Sequence, residues 1–394
     1  MYVPPELIEV ILRAVDLDSE SLKACSLVAP AFRSPSQRML LSSFTLDPLA
    51  RTTSFLAAST LLAESPHVAS YVTRLAISLP LEFLTSSDVE SLIQIFDRLV
   101  NVQKCIVDGG YHATTFGWNG IPPRLQSGFT DYFSRQSLDE LHVISICNIP
   151  SSTFFRFLRA ARGLFLYRVG VVPDPAAVGL EHSYPMTRLG LLTGTRGLCE
   201  ILANMETFQA PNLQRLDITG DSYSSSYANK IISSTSETLE HLTLHCLDAM
   251  NFGNSALRPA LSLPVLKSAE ITAHRGREAW FLDMLKTLLV PDTAPILRQL
   301  TITYTHLLES NLFHLLPSTR ELNTVDTLLM AHPGSPSIQW RLDLSEHAHV
   351  NVGVSVSSFV EDLHRGLPQA HAKGRLSVEH FTQRFTLPYI TGKH

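Results

Sequence analysis

Charge is scarce in this chain. Only 17% of its 394 residues are Asp, Glu, Lys or Arg, and 45% are hydrophobic, where soluble globular domains carry ~25% charged residues. That balance excludes a chain held open by its own charge and permits a large buried core. Basic excess is missing as well: the formal net charge is −5, which argues against a general nucleic-acid binder, whose footprint is basic. Long apolar runs are lacking. A bilayer span needs ~18–20 apolar residues in a row, and the longest stretch, Phe55 to Ala63, is already interrupted by Ser59 and Thr60, so no membrane partner is expected. The cysteines are five, an odd number, at positions 25, 105, 147, 199 and 246, with no C-x-x-C pair. That excludes a disulfide framework and points to reduced thiols. The opening residues, Met1 to Leu7, hold no basic lead-in and no apolar run, so they are not a secretory signal. A cytoplasmic or nuclear protein is expected.

The signatures of catalysis are also wanting. Neither a Gly-x-x-x-x-Gly-Lys-Ser/Thr phosphate loop nor a Gly-x-Gly-x-x-Gly turn occurs, and these are the patterns that bring backbone N–H groups to a phosphate. Gly220-Asp221-Ser222-Tyr223-Ser224 lacks the closing glycine of a hydrolase nucleophile elbow and reads as a polar turn. His241, His245 and Cys246 lie close in sequence, but two strand residues four apart are separated by ~13 Å, too far for one metal. His347 and His349 find no third ligand at a suitable spacing. No enzyme activity, cofactor or metal is expected.

What the chain does have is a recurring phrase: apolar, two residues, apolar, one residue, apolar. It occurs at Leu213-Leu216-Ile218, Leu239-Leu242-Leu244, Leu266-Ala269-Ile271 and Leu297-Leu300-Ile302, and upstream at Val72-Leu75-Ile77, Leu138-Leu141-Val143 and Met186-Leu189-Leu191. Weaker copies fall at Val102 to Val107, at Leu164 and Leu166, and at Leu342 and Leu344. The middle residues Leu189, Leu216, Leu242 and Ala269 are 27, 26 and 27 residues apart, inside the ~20–29 residue period of leucine-rich repeats. The last three residues of each phrase alternate as in a strand with one face buried. Between phrases the period becomes helical: Val89, Leu92, Ile93, Phe96 and Leu99 form one stripe, with Ser87 and Glu90 spaced as a capping box at its start. Pro333 to Pro336 reads as a surface loop. The pattern predicts an α/β fold, a small N-terminal helical bundle followed by a solenoid with a curved parallel sheet and outer helices. The turn position three residues past the last strand leucine holds Asp221, Leu247, His274 and Thr305, so the repeat is degenerate.

Residues 1–45 are of another kind, set apart from the repeats of 46–394. Pro4 and Pro5 open a helix whose apolar stripe is Leu7, Ile8, Ile11, Leu12 and Val15. A polar turn from Asp16 to Glu20 follows, then a second helix from Ser21 to Val28, limited by Pro30, and a third short one from Gln37. The run Val3-Pro4-Pro5-Glu6-Leu7, with Ile11 and Leu12, then Ser21-Leu22-Lys23-Ala24-Cys25-Ser26-Leu27-Val28 and Phe32, resembles an F-box. Joined to leucine-rich-like repeats, it is similar to the F-box proteins abundant in mushroom-forming fungi. The resemblance implies a substrate-recognition adaptor of a Skp–cullin–F-box ubiquitin ligase. The helices would bind a Skp-type adaptor, and through it a cullin–RING ligase, while the repeats would capture a protein substrate. The adaptor-facing residues would be Pro4, Leu7, Ile8, Ile11, Leu12, Leu22, Leu27, Val28 and Phe32. On the residues alone, the alternative is a repeat scaffold whose first helices only cap the array.

In such an array the exposed strand positions line up as a binding face. The residue before each middle anchor gives one row: Arg74, Lys104, Glu140, Arg188, Arg215, His241, Ser268, Gln299 and Arg341. The residue after it gives another, with His142, Asp217, Thr243, Glu270, Thr301 and Asp343. Arg188 and Arg215 suit an acidic or phosphorylated segment, because guanidinium pairs with such anions through two hydrogen bonds.

Overall fold

A computed structural model of the chain describes residues 4–15, 18–47, 54–79, 84–110, 116–174, 184–204, 210–220, 225–246, 262–274, 278–305, 316–343 and 353–381. The fold is α/β with parallel pairing throughout its main ladder, and the chain divides into two compact units, Met1–Gly179 and Leu180–His394. The N-terminal helices thus belong to the same unit as the first main strands.

Unit 1 opens with three helices, α1 (Pro5–Ala14), α2 (Ser19–Val28) and α3 (Pro30–Leu40). Proline sits in the first turn of α1, where its missing N–H costs nothing, and the Pro4 carbonyl accepts from the amides of Leu7 and Ile8. The Asp18 carboxylate caps α2 by accepting from the Ser21 amide at 2.8 Å. The third helix starts at Pro30 rather than Gln37. Ala29, forced into an extended conformation by the proline after it, ends α2 and becomes the cap residue of α3.

Strand and helix then alternate: β1 (Ser43–Leu46), α4 (Phe55–Glu64), α5 (Pro66–Ala69), β2 (Arg74–Ser78), α6 (Ser86–Arg98), β3 (Lys104–Asp108), β4 (Phe116–Gly117), α7 (Pro123–Arg135), β5 (Leu138–Ile144), β6 (Ile146–Cys147), β7 (Ile149–Pro150), α8 (Ser151–Ala160), β8 (Ala161–Tyr167) and β9 (Val171–Val172). The main strands lie in the order β1-β2-β3-β5-β8, while β4 pairs with β6 and β7 with β9 in two small ribbons. Leu75, Cys105, Leu141 and Leu164 are register partners across four strands and are all buried. Each such leucine removed from water contributes about 1.5–3 kcal/mol. The cap of α6 is Thr85 with Asp88, two residues before the expected Ser87 and Glu90: the Thr85 hydroxyl accepts from the Asp88 amide, and the Asp88 carboxylate accepts from the Thr85 amide. Strand β1 has no counterpart among the phrases read from sequence.

Unit 2 repeats the grammar: β10 (Arg188–Leu192), α9 (Arg196–Asn204), β11 (Arg215–Gly220), α10 (Ser225–Ser234), β12 (His241–Cys246), β13 (Ser268–His274), α11 (Glu278–Leu288), β14 (Gln299–Thr305), α12 (Thr319–Ala331), β15 (Ser337–Asp343), α13 (Gly353–Gly366), α14 (Pro368–Ala372) and β16 (Leu376–Phe381), with the seven strands neighbouring in chain order. Leu189, Leu216, Leu242, Ala269, Leu300 and Ile338 fall in one file. The last member corrects the reading at Leu342: β15 enters the ladder through Ile338, four residues earlier. Pro333 to Pro336 is a turn, and a Cβ on Gly334 would lie 2.3 Å from the Leu297 carbonyl oxygen, which is why glycine stands there.

Candidate functional site

The nine residues expected to face an adaptor separate into two groups. Ile8, Leu12 and Leu22 are buried, Ile8 at 2% exposure, and hold α1, α2 and α3 together. They are core and touch no partner from where they stand. Leu7 (54% exposed), Ile11, Leu27 (82%) and Val28 lie open to solvent, and Pro4 and Phe32 are half-buried. Val10, missed from the sequence, and Val15, read there in the apolar stripe but not among the adaptor-facing residues, are exposed too, and with Leu7 and Ile11 they make a stripe along α1. Their spacing of three and four residues is the signal that identifies them. On one short helix, exposing four large aliphatic side chains is unfavourable unless something covers them.

The strand-face residues come together as register partners, in two sets. In unit 1, Arg74, Lys104 and Glu140 are successive partners across β2, β3 and β5. Lys104 Nζ meets the Glu140 carboxylate at 2.8 Å, and His142 Nε2 lies 3.2 Å from the same carboxylate. The buried His142 ring stacks on Phe165, with centroids 4.7 Å apart and planes 10° off parallel. Arg74 is exposed, with no side-chain partner among the described residues.

In unit 2, Arg188, Arg215, His241, Ser268 and Gln299 share one row, which ends on Ser337 rather than Arg341. The next row on that face is Asp217, Thr243, Glu270, Thr301 and Gln339. Arg341 belongs one row further, beside Thr303 and Glu379. A polar network crosses these strands. Arg215 Nε approaches both Asp217 oxygens at 3.3 Å, His241 Nδ1 lies 2.6 Å from Ser268 Oγ, and Thr303 donates to Glu270 at 3.1 Å. Arg341 lies 3.8 Å from both Glu270 and Glu379. Burial holds the His245 imidazole below its ordinary value, against the opposing pull of Asp217 and Glu270. Asp217, Thr243 and Thr301 are buried within this face, while Arg215, His241, Gln299, Ser337 and Glu379 are exposed on it.

Among the described residues, no group of three or more His, Cys, Asp or Glu could hold a metal ion. The Gly220 to Ser224 turn past its first residue, His347 and His349, and the positions Asp221, Leu247 and Leu344 lie outside the described residues. Burial pushes the Cys105 thiol up, away from reactive thiolate. No helix among the described residues is long and apolar enough to cross a membrane. No protein-family model matches the sequence, and no curated protein matches it closely enough to count as a relative.

Proposed function

We propose that the chain is a non-enzymatic adaptor that docks a Skp-type partner of a cullin–RING ubiquitin ligase through α1 and α2. It presents a protein substrate on the polar face of a degenerate leucine-rich-repeat solenoid. The observation that carries the docking half is the exposure of Leu7, Val10, Ile11 and Val15 on α1, and of Leu27 and Val28 at the end of α2. In the alternative, a scaffold whose first helices only cap the repeats, those side chains would be buried against the neighbouring strands. What supports the substrate half is the row of charged and polar register partners, with each leucine file turned to the opposite side.

The test is a calorimetric titration of the full chain with a purified Skp-type adaptor. Saturable binding by the wild type, abolished in Leu7→Asp/Leu27→Asp, is the expected result. Both positions are open to solvent, so the double variant keeps its fold, which circular dichroism checks. A folded wild type that shows no binding overturns the docking half and leaves the capped scaffold.

A further inference from the structure

Unit 1 contains a groove of about 1150 Å³. Helices α1 and α3 form one wall, through Glu9, Arg13 and Arg38; the leading ends of β2, β3 and β5 form the other, through Arg74, Lys104 and Glu140. Its charges do not balance. Glu9 is shared by Arg13 and by Arg38 at 3.9 Å. Glu140 is taken by Lys104 at 2.8 Å, and Asp139 by Arg162 at 3.7 Å. Arg162 stands outside the groove, whose own four cations, Arg13, Arg38, Arg74 and Lys104, meet the three carboxylates. With Asp139 engaged from outside, two of those cations have no carboxylate of their own: Arg74, which has no side-chain partner among the described residues, and one of the two arginines on Glu9. The Arg38 guanidinium is also stacked 5.6 Å above the Tyr71 ring centre, which orients its fork before any ligand arrives.

We propose that this groove binds an acidic, carboxylate-rich segment of a partner protein in an extended conformation. A cavity of about 1150 Å³ exceeds what one small anion fills, so the ligand is a chain rather than an ion. Planar guanidinium forks match carboxylates through paired, charge-assisted hydrogen bonds, and the surplus cations stand on opposite walls. Glu9 and Arg13 leave α1 by a flank other than that of Leu7 and Ile11, because successive residues turn by about 100°. The groove is thus distinct from the apolar stripe. The inference deepens the substrate half of the proposed function, and peptide binding and adaptor binding are read in separate titrations, so either can fail alone.

The experiment is fluorescence anisotropy on the full chain with a labelled peptide, Gly-Glu-Glu-Gly-Glu-Glu-Gly, and its glutamine analogue. Saturable binding of the glutamate peptide is expected, with the glutamine analogue at least about tenfold weaker. Arg74→Glu and Arg38→Glu should each weaken binding by roughly tenfold or more, while Arg320→Glu on the exposed face of α12 leaves it unchanged. Arg74→Gln, which removes the charge without reversing it, should fall between, and circular dichroism checks that each variant is folded. Equal binding of the two peptides, or no loss in Arg74→Glu and Arg38→Glu, overturns the proposal. A phosphoserine peptide that binds more than about tenfold tighter than the glutamate peptide overturns the assignment to carboxylates.

Discussion

The two units share one strand grammar and differ in what they write with it. On the leucine side they are alike: Leu141 and Leu216 are both fully buried and each has a file neighbour on either side. On the opposite side they part. The positions after the middle anchors are Ala76, Ile106, His142 and Phe165 in unit 1, but Gly190, Asp217, Thr243, Glu270, Thr301 and Gln339 in unit 2. Unit 1 therefore floors its face with apolar and stacked aromatic groups and carries its charge at the strand starts, around the groove, and on Asp108 at the far end of β3. Unit 2 spreads hydrogen-bonding groups and charge from β11 to β15. The buried file fixes register and stability, and the opposite face is free to vary because a strand sends alternate side chains to different environments.

The likeness of the leucine sides is the first thing to break. Leu141→Ala and Leu216→Ala each leave a cavity in a closed core, and each should cost about 2–5 kcal/mol in urea unfolding. A loss below about 1 kcal/mol at one site with a full loss at the other would falsify the equivalence. The difference between the faces should appear at the next register position. His142→Ala removes a ring stack and a contact with the Glu140 carboxylate, and should cost about 1–3 kcal/mol. Thr243→Val sits at the corresponding place in unit 2, and the described residues offer its hydroxyl no hydrogen bond. It should stay within about 0.5 kcal/mol of wild type, since the shape is kept and no partner is orphaned.

How far this was legible follows from the same alternation. The files through Leu189, Leu216, Leu242 and Ala269 could be read because leucine at a fixed period is a strong signal, and they pair as the spacing implied. The entry of β15 could not. Ile338-Gln339-Trp340 and Leu342-Asp343-Leu344 both alternate, and a slip of four residues, being even, leaves every side chain on its own face. Only the neighbouring strand decides, by pairing Gln299 with Ser337. The cap of α6 was misplaced for a like reason: Thr85/Asp88 and Ser87/Glu90 both satisfy the spacing, and the backbone turn selects the earlier pair. In the N-terminal helices the apolar pattern was visible, but which side was covered was not. Ile8 and Leu12 turn inward while Leu7 and Ile11 face water, a choice made by α3 packing on α1.

The next contrast is in pH dependence. Three histidines of unit 2 are held below their ordinary value near 6.5: His245 and His332 by burial, and His364 by burial and then by the charge of His371. His332 also accepts the Gly334 amide on Nδ1 at 3.1 Å, a bond open only to the neutral ring. Each therefore binds a proton more readily unfolded than folded. Stability from these groups is complete above about pH 6.5 and declines as the pH falls below it, by at most ~1.4 kcal/mol per pH unit for each proton taken up. Urea midpoints between about pH 7.5 and 5.5 should show this slope. His332→Asn, which keeps an acceptor at the Nδ1 position without titrating, should flatten it. An unchanged slope in His332→Asn and in His245→Gln would remove these two histidines as the cause and leave His364 alone to account for it.

The smallest effects should separate two ion pairs, one on the strand row of unit 1 and one immediately ahead of β12 and β13 in unit 2. Lys104–Glu140 in unit 1 closes at 2.8 Å, and Lys267–Glu240 in unit 2 at 2.7 Å, so distance alone predicts equal strength. Their surroundings differ. Both members of the first are less exposed than their counterparts, and Glu140 is also held by His142, which limits the rotamers it must give up to keep the lysine. Open pairs contribute only about 0.2–1 kcal/mol, because water and salt screen them and side-chain entropy opposes them. Double-mutant cycles to alanine should therefore give a coupling near the top of that range for Lys104–Glu140 and near the bottom for Lys267–Glu240. Raising the salt to 1 M should erase the second and leave part of the first. Equal couplings with equal salt response would mean that the stacked floor of unit 1 does not order the charges above it, and that the two faces differ in composition alone.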